Sequence, residues 1–451
     1  MPRVLLLLPT TTYRTEAFVA AASGLGVDVT VASERPNALS RLNPAALLTL
    51  DFRDPQEAAQ RVVEFSTAHP IDAVVPVDSQ VVVVGASISA ALGLRHNSVK
   101  SATAAQDKNC MKQQFRQAGV PSPKFTLCSL DEDREALADR VDFPCVVKPL
   151  SLAASKGVIR ADDRGQFILA VDRLETILQR EYDTPTAVET CGDAEAESQV
   201  RSSALSRQFL VEQFVGGPEV ALEGMLTRGE LHTLALFDKP DPLDGPFFEE
   251  TIYVTPSRLD ADTQEEIARC AAQAAQALGL TEGPIHAELR LAKDGPSVIE
   301  VNARSIGGLC SRVLRFGAGM SLEELIIRHA LEEEFELPRR QLQAAGVMMI
   351  PTTRGGRLIE VRGLDDAKMV SGIEDVTISA HLGQRLVPLP EGSRYLGFIF
   401  ARADSAEAVE AALRESHAQL EFVIEPSVDR THDDDSTLPS ENPEGSDEED
   451  S

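Results

Sequence analysis

Positive charge is scarce in this 451-residue chain: 43 lysines and arginines stand against 71 aspartates and glutamates, a formal net charge of −28. Ten of the acids and a single arginine lie from Ser427 onward, and the rest of the chain is still strongly acidic. That balance excludes binding through the phosphate backbone of a nucleic acid and adhesion to an anionic membrane. Any nucleotide site must bring its own local cluster of lysine and arginine. Cysteine is also sparse. The six residues at 110, 128, 145, 191, 270 and 310 form no CxxC or Cys/His spacing for zinc and no dense disulfide framework. No apolar run is long enough to span a membrane, and Val4–Leu8 is too short for a signal-peptide core. No GxGxxG follows the first apolar strand, so dinucleotide binding is not supported. What these absences leave is a cytoplasmic protein, 43% hydrophobic, with enough apolar residues for sizeable cores.

One stretch carries more chemistry than any other: GPIHAELRLAKDGPSVIEVNARSIGG, from Gly283 to Gly308. Ile285, Ala287, Leu289 and Leu291 alternate with His286, Glu288 and Arg290, the period of a half-buried strand. Lys-Asp-Gly-Pro is a turn signal, and Ser297–Asn302 is the return strand. Glu300 and Asn302 share a face. If even numbers pair with even numbers, Glu288 joins them and Arg304 lies just beyond. Two carboxylates and an amide oxygen suit a hard cation such as Mg²⁺, which takes oxygen ligands together with substrate phosphates. A solvated sheet face with ordinary charges is the alternative.

Before the hairpin, residues 1 to about 100 read as α/β. Apolar strands at Val4–Leu8, Val27–Ala32 and Ile71–Val77 alternate with helices around Ala17–Ser23 and Val81–Leu92, implying a parallel sheet. A helix follows over Thr103–Ala118, stopped by Gly119-Val-Pro. The strand Phe143–Pro149 holds one lysine, Lys148, which needs an anionic partner if buried: a phosphate or a structural carboxylate. Ser151–Val158 is a small-residue loop able to lie over phosphates, though low in glycine. Residues 181–207 read as a polar insertion. Strands then follow at Gln208–Gly217, Glu219–Leu226 and Leu231–Phe237, and helices at Asp262–Leu278 and Ser321–Glu334. Strands at Gly346–Ile350, Gly356–Val361, Asp375–Ser379 and Arg394–Ala403 and a helix at Ala406–Ala418 form a smaller unit. The tail from 427 to 451 has almost no apolar content and reads as disordered.

This ordered set of motifs resembles the ATP-grasp superfamily, and is most similar to carboxylate–amine ligases of the bacterial L-amino acid ligase type. The resemblance implies an α/β and α+β multidomain chain. Its parts would be a parallel-sheet pre-ATP-grasp domain (1–102), an ATP-grasp lobe A (103–207, with the insertion 181–207), a lobe B (208–334), a small C-terminal α+β domain (335–426) and the acidic tail. By the same resemblance, Lys108 and Lys148 match the lysines on the ATP phosphates, and Ser155, Lys156 and Gly157 lie in the loop over them. Glu212, Gln213, Phe214 and Val215 match the segment that holds adenine, and Glu219 the acid near the ribose. Glu288, Glu300 and Asn302 match the Mg²⁺ ligands, with Mn²⁺ as the alternative ion, and Arg304 the arginine that meets the transferred phosphoryl group. Lys239, Glu250, His286, Gly307 and Gly308 fall where substrate is contacted.

The activity implied is an ATP- and Mg²⁺-dependent joining of a small carboxylate to an amine through an acyl phosphate, on amino acids or small peptide-like substrates, in a chain that could pair as a homodimer. Ser305–Gly308 differs from the charged run of biotin carboxylases, which tells against bicarbonate. The alternatives are another acyl-phosphate enzyme, glycinamide-ribonucleotide-synthetase-like or carboxylase-like, and a nucleotide-binding module without catalysis. Taken singly, Lys108 reads as a surface lysine, Glu212 and Glu219 as strand-end and turn acids, His286 as a satisfied sheet histidine and Arg304 as a partner of a hairpin carboxylate.

Overall fold

The computed structural model describes residues 1–36, 42–43, 45–182, 207–333 and 337–426. Apart from its ends, the expected insertion 181–207 lies outside the described residues, as does the whole of the tail 427–451. Among the described residues no helix is long and apolar enough to cross a membrane.

The first unit runs β1 (Arg3–Leu7), α1 (Thr15–Leu25), β2 (Asp28–Ser33), β3 (Leu47–Thr49), α2 (Pro55–Ser66), β4 (Ala73–Pro76) and α3 (Val82–Leu92). The apolar β1 is covered on both faces and lies inside a parallel sheet of order β3-β2-β1-β4. Between β1 and β4 the order of strands reverses. The loops leaving their carboxyl ends, Leu8–Arg14 and Val77–Ser79, therefore border one crevice, the usual place for a ligand in an open α/β sheet.

Two helices follow, α4 (Val99–Gln106) and α5 (Lys108–Ala118). The single helix expected over Thr103–Ala118 is broken at Asp107, whose backbone is extended (φ −94, ψ 110) and whose carboxylate caps α5 by accepting from Asn109 N and Cys110 N. The break places Lys108 at the very start of α5, with its own N–H donated to Leu150 O at 3.2 Å.

The next sheet is antiparallel, built from β5 (Phe125–Ser129), β6 (Cys145–Pro149), β7 (Ile159–Ala161) and β8 (Gln208–Gln213) in the order β5-β8-β6-β7, with helices α6 (Arg134–Ala138) and α7 (Arg164–Tyr182). Strand β8 pairs with both β5 and β6, so this lobe extends to Gln213, past the division expected at 207/208.

The chain continues through β9 (Glu219–Thr227), β10 (Glu230–Lys239), β11 (Ile252–Thr255), α8 (Ala261–Ala277), β12 (Gly283–Ala292), β13 (Gly295–Asn302) and α9 (Leu322–Ala330). Its last part holds β14 (Ala344–Ile350), β15 (Gly356–Arg362), α10 (Leu364–Met369), β16 (Ile373–Ile378), β17 (Arg385–Leu386), β18 (Gly397–Ala403), α11 (Ala406–Ala418) and β19 (Glu421–Glu425). Eight of these strands form one sheet of order β13-β12-β9-β10-β11-β14-β18-β16. The division expected at 334/335 thus cuts a continuous sheet, because β11 pairs directly with β14. A small sheet of order β17-β15-β19 stands beside it. One hydrophobic cluster joins Val4, Leu6 and Val75 of the first unit to Phe237, Tyr253 and Phe398 of the large sheet, with Phe316 from the segment between β13 and α9. That shared core fixes the crevice at the ends of β1 and β4 against the loop that leaves β13.

Candidate active site

The hairpin forms as an antiparallel pair in which His286 faces Asn302 and Glu288 faces Glu300. A bulge follows Glu288, after which Leu289 pairs with Val298 and Arg290 with Ser297. The even-with-even register therefore holds only at the end carrying the carboxylates. The physical gain is clear: the bulge lets Leu289 and Val298 both reach the core, each at 0% exposure, while Glu288 and Glu300 stay on the opposite, half-open face.

Two lysines reach this region from the other lobe. Lys108 Nζ lies 3.2 Å from Glu300 Oε2 and donates to Leu152 O at 3.1 Å. Lys148 Nζ, on β6, lies 2.9 Å from Glu212 Oε2. Lys112 Nζ, one turn along α5 from Lys108, lies 3.5 Å from the same oxygen and was not among the site residues expected from sequence. The only hint was its spacing of four from Lys108, which puts both on one helix face. Burial drives the Lys112 amine down to about 8 even though Glu212 opposes it. Burial works the other way on Glu212, yet Lys112 and Lys148 together hold its carboxyl below the ordinary range. Glu212 Oε1 is buried without a hydrogen bond, an open acceptor beside the lysine pair.

Lys239 ends β10 and is almost wholly buried. Its Nζ lies 2.7 Å from Glu219 Oε1 and 3.7 Å from Glu288 Oε2, and it also contacts Glu250. Carboxylate oxygens of Glu219, Glu250 and Glu288 lie within 4.8 Å of one another, with this ammonium among them. Arg290 Nε holds the second oxygen of Glu219 at 2.9 Å, and its Nη1 donates to Val215 O at 2.8 Å. The ring of Phe214 is covered by Arg160 at 4.0 Å and Arg290 at 5.2 Å, while Gln213 is exposed. Glu219, Lys239 and Glu250 are thus bound to one another in this structure. Burial raises the Glu250 carboxyl, and Lys239 only partly offsets it.

His286 is held at both nitrogens: Nδ1 meets Glu223, and Nε2 lies 3.1 Å from Glu288 Oε1. Burial alone would lower its pKa, but Glu223 and Glu288 outweigh that and raise it to about 9. An imidazolium fixed between two carboxylates is an orienting cation, with no lone pair free for proton abstraction.

Arg304 donates from Nε to Ser79 Oγ at 2.9 Å and from Nη1 to Ser305 O at 2.8 Å. Ser79 Oγ in turn donates to Asn302 Oδ1 at 3.3 Å. Arg14, only 1% exposed, donates from Nη2 to Ser305 Oγ at 2.7 Å and from Nη1 to Val77 O at 3.1 Å. Glu223 accepts Ile306 N–H at 3.0 Å. Ser79, Arg14 and Glu223 carried no local sequence signal. They matter only because the fold brings them beside residues far along the chain.

In the loop between β6 and β7, Ala154 (φ 53), Ser155 (φ 55) and Gly157 (φ 73) all adopt left-handed backbone. Two of the three are not glycine, so the loop carries strain that the glycine-poor sequence did not announce. Gly157 N–H donates to Pro390 O at 2.9 Å, and Lys156 pairs with Glu181 on α7. Gly308 (φ 59) leaves only 3.1 Å between a would-be Cβ and the Phe398 ring, so this position favours glycine on two counts. Gly307 lies beside it, half-buried.

The donor set of Glu288, Glu300 and Asn302 consists entirely of oxygens on one face. Burial would raise both carboxyls, but Lys239 with His286 in one case and Lys108 in the other pull them below the ordinary range. Ionised oxygen donors of this kind fit a hard divalent cation.

Comparison with known proteins gives matches to three family models: an ATP-grasp N-terminal domain over residues 19–96, an ATP-grasp domain over 141–313, and an L-amino acid ligase C-terminal domain 2 over 348–425. The chain is 27% identical to alanine–anticapsin ligase of Bacillus subtilis (strain 168) over 291 residues, covering 61% of this chain and 58% of that protein. It is 29% identical over 241 residues to carnosine synthase 1 of Gallus gallus, covering 52% of this chain and 24% of that one. These matches therefore span less than two thirds of each relative. The crystal structure of L-amino acid ligase from Bacillus licheniformis superposes with a TM-score of 0.77 at 27% identity, covering 94% of this chain and 99% of that one. Phosphoribosylglycinamide synthetase from Anaerococcus prevotii, at 15% identity and a TM-score of 0.62, shares the fold.

Proposed function

The chain belongs to the ATP-grasp superfamily, and we propose that it is an ATP-dependent ligase that joins a small carboxylate, an amino acid or peptide-like acid, to an amine. The observation that carries this reading is the convergence of Lys108, Glu288, Glu300, Asn302 and Arg304, supplied by two lobes, around one half-open face.

A carboxylate is a poor acyl donor because oxide would have to leave. Attack by its oxygen on the γ-phosphorus of ATP breaks the bond to the β–γ bridging oxygen and releases ADP. The acyl phosphate so formed is then attacked at its carbonyl carbon by an amine nitrogen. The carbon–oxygen bond breaks, inorganic phosphate leaves with the electron pair, and the amine's proton passes to solvent. Chemistry of this kind asks the protein chiefly for positioning and charge neutralisation. Lys108 and Lys148 bring positive charge to the triphosphate, and Arg304 meets the transferred phosphoryl group. Glu212 to Val215 receives adenine, with Glu212 Oε1 as a free buried acceptor and the Phe214 ring fixed by two arginines. Mg²⁺ held by Glu288, Glu300 and Asn302 would neutralise charge on the phosphates. The loop carrying Ser155, Lys156 and Gly157 shields the acyl phosphate from water.

The test is phosphate and ADP release from ATP and Mg²⁺ by the full chain in the presence of pooled L-amino acids. Substrate-dependent release that is lost in Glu300→Ala and Arg304→Ala supports the reading. Release that persists in both variants removes the site assignment.

A further inference from the structure

Glu223 is the single charged residue of 220–226 on β9, a run otherwise made of Val, Ala, Leu, Gly, Met and Leu, and its exposure is 0%. A carboxylate so placed is costly to bury unless its oxygens are bonded. Both are, and to different parts of the site. Oε1 meets Nδ1 of His286, which stands directly opposite on β12. Oε2 accepts Ile306 N–H at 3.0 Å, in the loop that leaves β13. The reaction described above calls on neither bond.

Each bond leads onward through a flat, rigid group. The first passes through the His286 ring, whose other nitrogen, Nε2, lies 3.1 Å from Glu288 Oε1. The ring cannot turn about its bond to Cβ without leaving one carboxylate or the other. The second passes through a peptide. Ser305 C=O and Ile306 N–H belong to one planar unit, and that C=O accepts Arg304 Nη1 at 2.8 Å. Tilting the plane breaks the bond to Glu223 or the bond to Arg304. Resting on the ligase reading, we propose that Glu223 is a positioning residue that couples the metal ligand Glu288 to the phosphoryl-binding Arg304, acting on one through an imidazole and on the other through a peptide plane. Groups standing behind a metal ligand set affinity or activity by about 10–100-fold. Here a single buried carboxylate stands behind two parts of the machinery at once. Two substitutions separate its arms. Glutamine keeps an oxygen for Ile306 N–H but turns an uncharged NH₂ toward His286 in place of an anionic acceptor; alanine removes both contacts.

The experiment measures calorimetric binding of a non-hydrolysable ATP analogue to the full chain over a series of Mg²⁺ concentrations. Beside it, phosphate release dependent on L-amino acids is followed at saturating Mg²⁺. In Glu223→Gln the half-saturating Mg²⁺ for analogue binding rises at least fivefold. In His286→Gln it rises comparably, and the double variant shows no more than the larger single effect. In Glu223→Ala, kcat falls at least tenfold below that of Glu223→Gln, because the peptide behind Arg304 is released as well. If Glu223→Ala does not fold, Glu223→Asp, which is one methylene too short for both partners, takes its place in the kcat comparison. A half-saturating Mg²⁺ within twofold of wild type in folded Glu223→Gln overturns the proposal, as does full additivity of Glu223→Gln with His286→Gln. Equal kcat in Glu223→Gln and the shortened variant overturns it too. Each of these results leaves the ligase reading intact. A wild-type chain that binds the analogue equally with and without Mg²⁺, and releases no phosphate with any amino acid, overturns the ligase reading and this inference with it.

Discussion

Arg304 Nε donates to Ser79 Oγ at 2.9 Å across 225 residues of sequence, and the same hydroxyl donates onward to Asn302 Oδ1 at 3.3 Å. A single serine from the first unit thus aligns the arginine assigned to the phosphoryl group with an amide assigned to the metal. Ser79→Ala should lower kcat about tenfold with little change in KM for ATP, because it loosens Arg304 without touching the lysines. Steady-state kinetics at saturating Mg²⁺ measure this, and an unchanged kcat would show that Arg304 is fixed by Ser305 O alone.

Glu212 is neutralised twice, by Lys148 at 2.9 Å and Lys112 at 3.5 Å. Lys148→Met should raise KM for ATP at least tenfold yet leave the fold largely intact, since Lys112 still balances the buried carboxylate. Lys112→Met with Lys148→Met should lose far more stability than the two single changes added together. The carboxylate is then buried alone, at a cost of about 3–5 kcal/mol. Denaturant unfolding of the three variants checks it, and simple additivity would exclude the shared role.

Much of this site could be read from sequence, and the reasons for the rest are physical. The hairpin was legible because alternation and a Lys-Asp-Gly-Pro turn act over neighbouring residues. Its bulge after Glu288 was not, since Leu289 and Val298 are apolar in either register and only packing chooses between them. The break at Asp107 hid behind a helical pattern that continues on both sides of it, although Asp is a good N-cap. Lys148 was visible as a charge in an apolar strand, but its partner Glu212 sits 64 residues away. The sheet shared by β11 and β14 escaped because strand pairing across so long a separation leaves no local trace.

The loop between β6 and β7 offers a pair of opposite predictions. Ala154 already occupies left-handed backbone at φ 53, so Ala154→Gly relieves strain of about 1–2 kcal/mol while costing about 0.4–1 kcal/mol in unfolded-chain entropy. Thermal unfolding should show no loss of stability. Gly157→Ala should be destabilising, because φ is 73 and a Cβ would stand 3.0 Å from Leu174 Cδ1. A stable Gly157→Ala protein would mean that the loop readily adopts another backbone path.

The fold also carries a pH dependence away from the site. His329 is buried, its Nε2 lies 3.0 Å from Thr227 Oγ1, and burial, aided by Arg95 and His232, pushes its pKa down to about 4. The unfolded chain binds this proton near its ordinary value of about 6.5. Between these limits the unfolded state holds more protons, so stability rises with pH and is lost as the solution is acidified from about 6.5 to 4. The shift corresponds to about 3 kcal/mol in total. His329→Gln, which can keep a polar contact with Thr227 without titrating, should flatten the stability profile over that window. Urea unfolding at pH 7, 6, 5 and 4 measures the difference between wild type and variant. Parallel profiles would mean that the imidazole protonates freely in the folded protein.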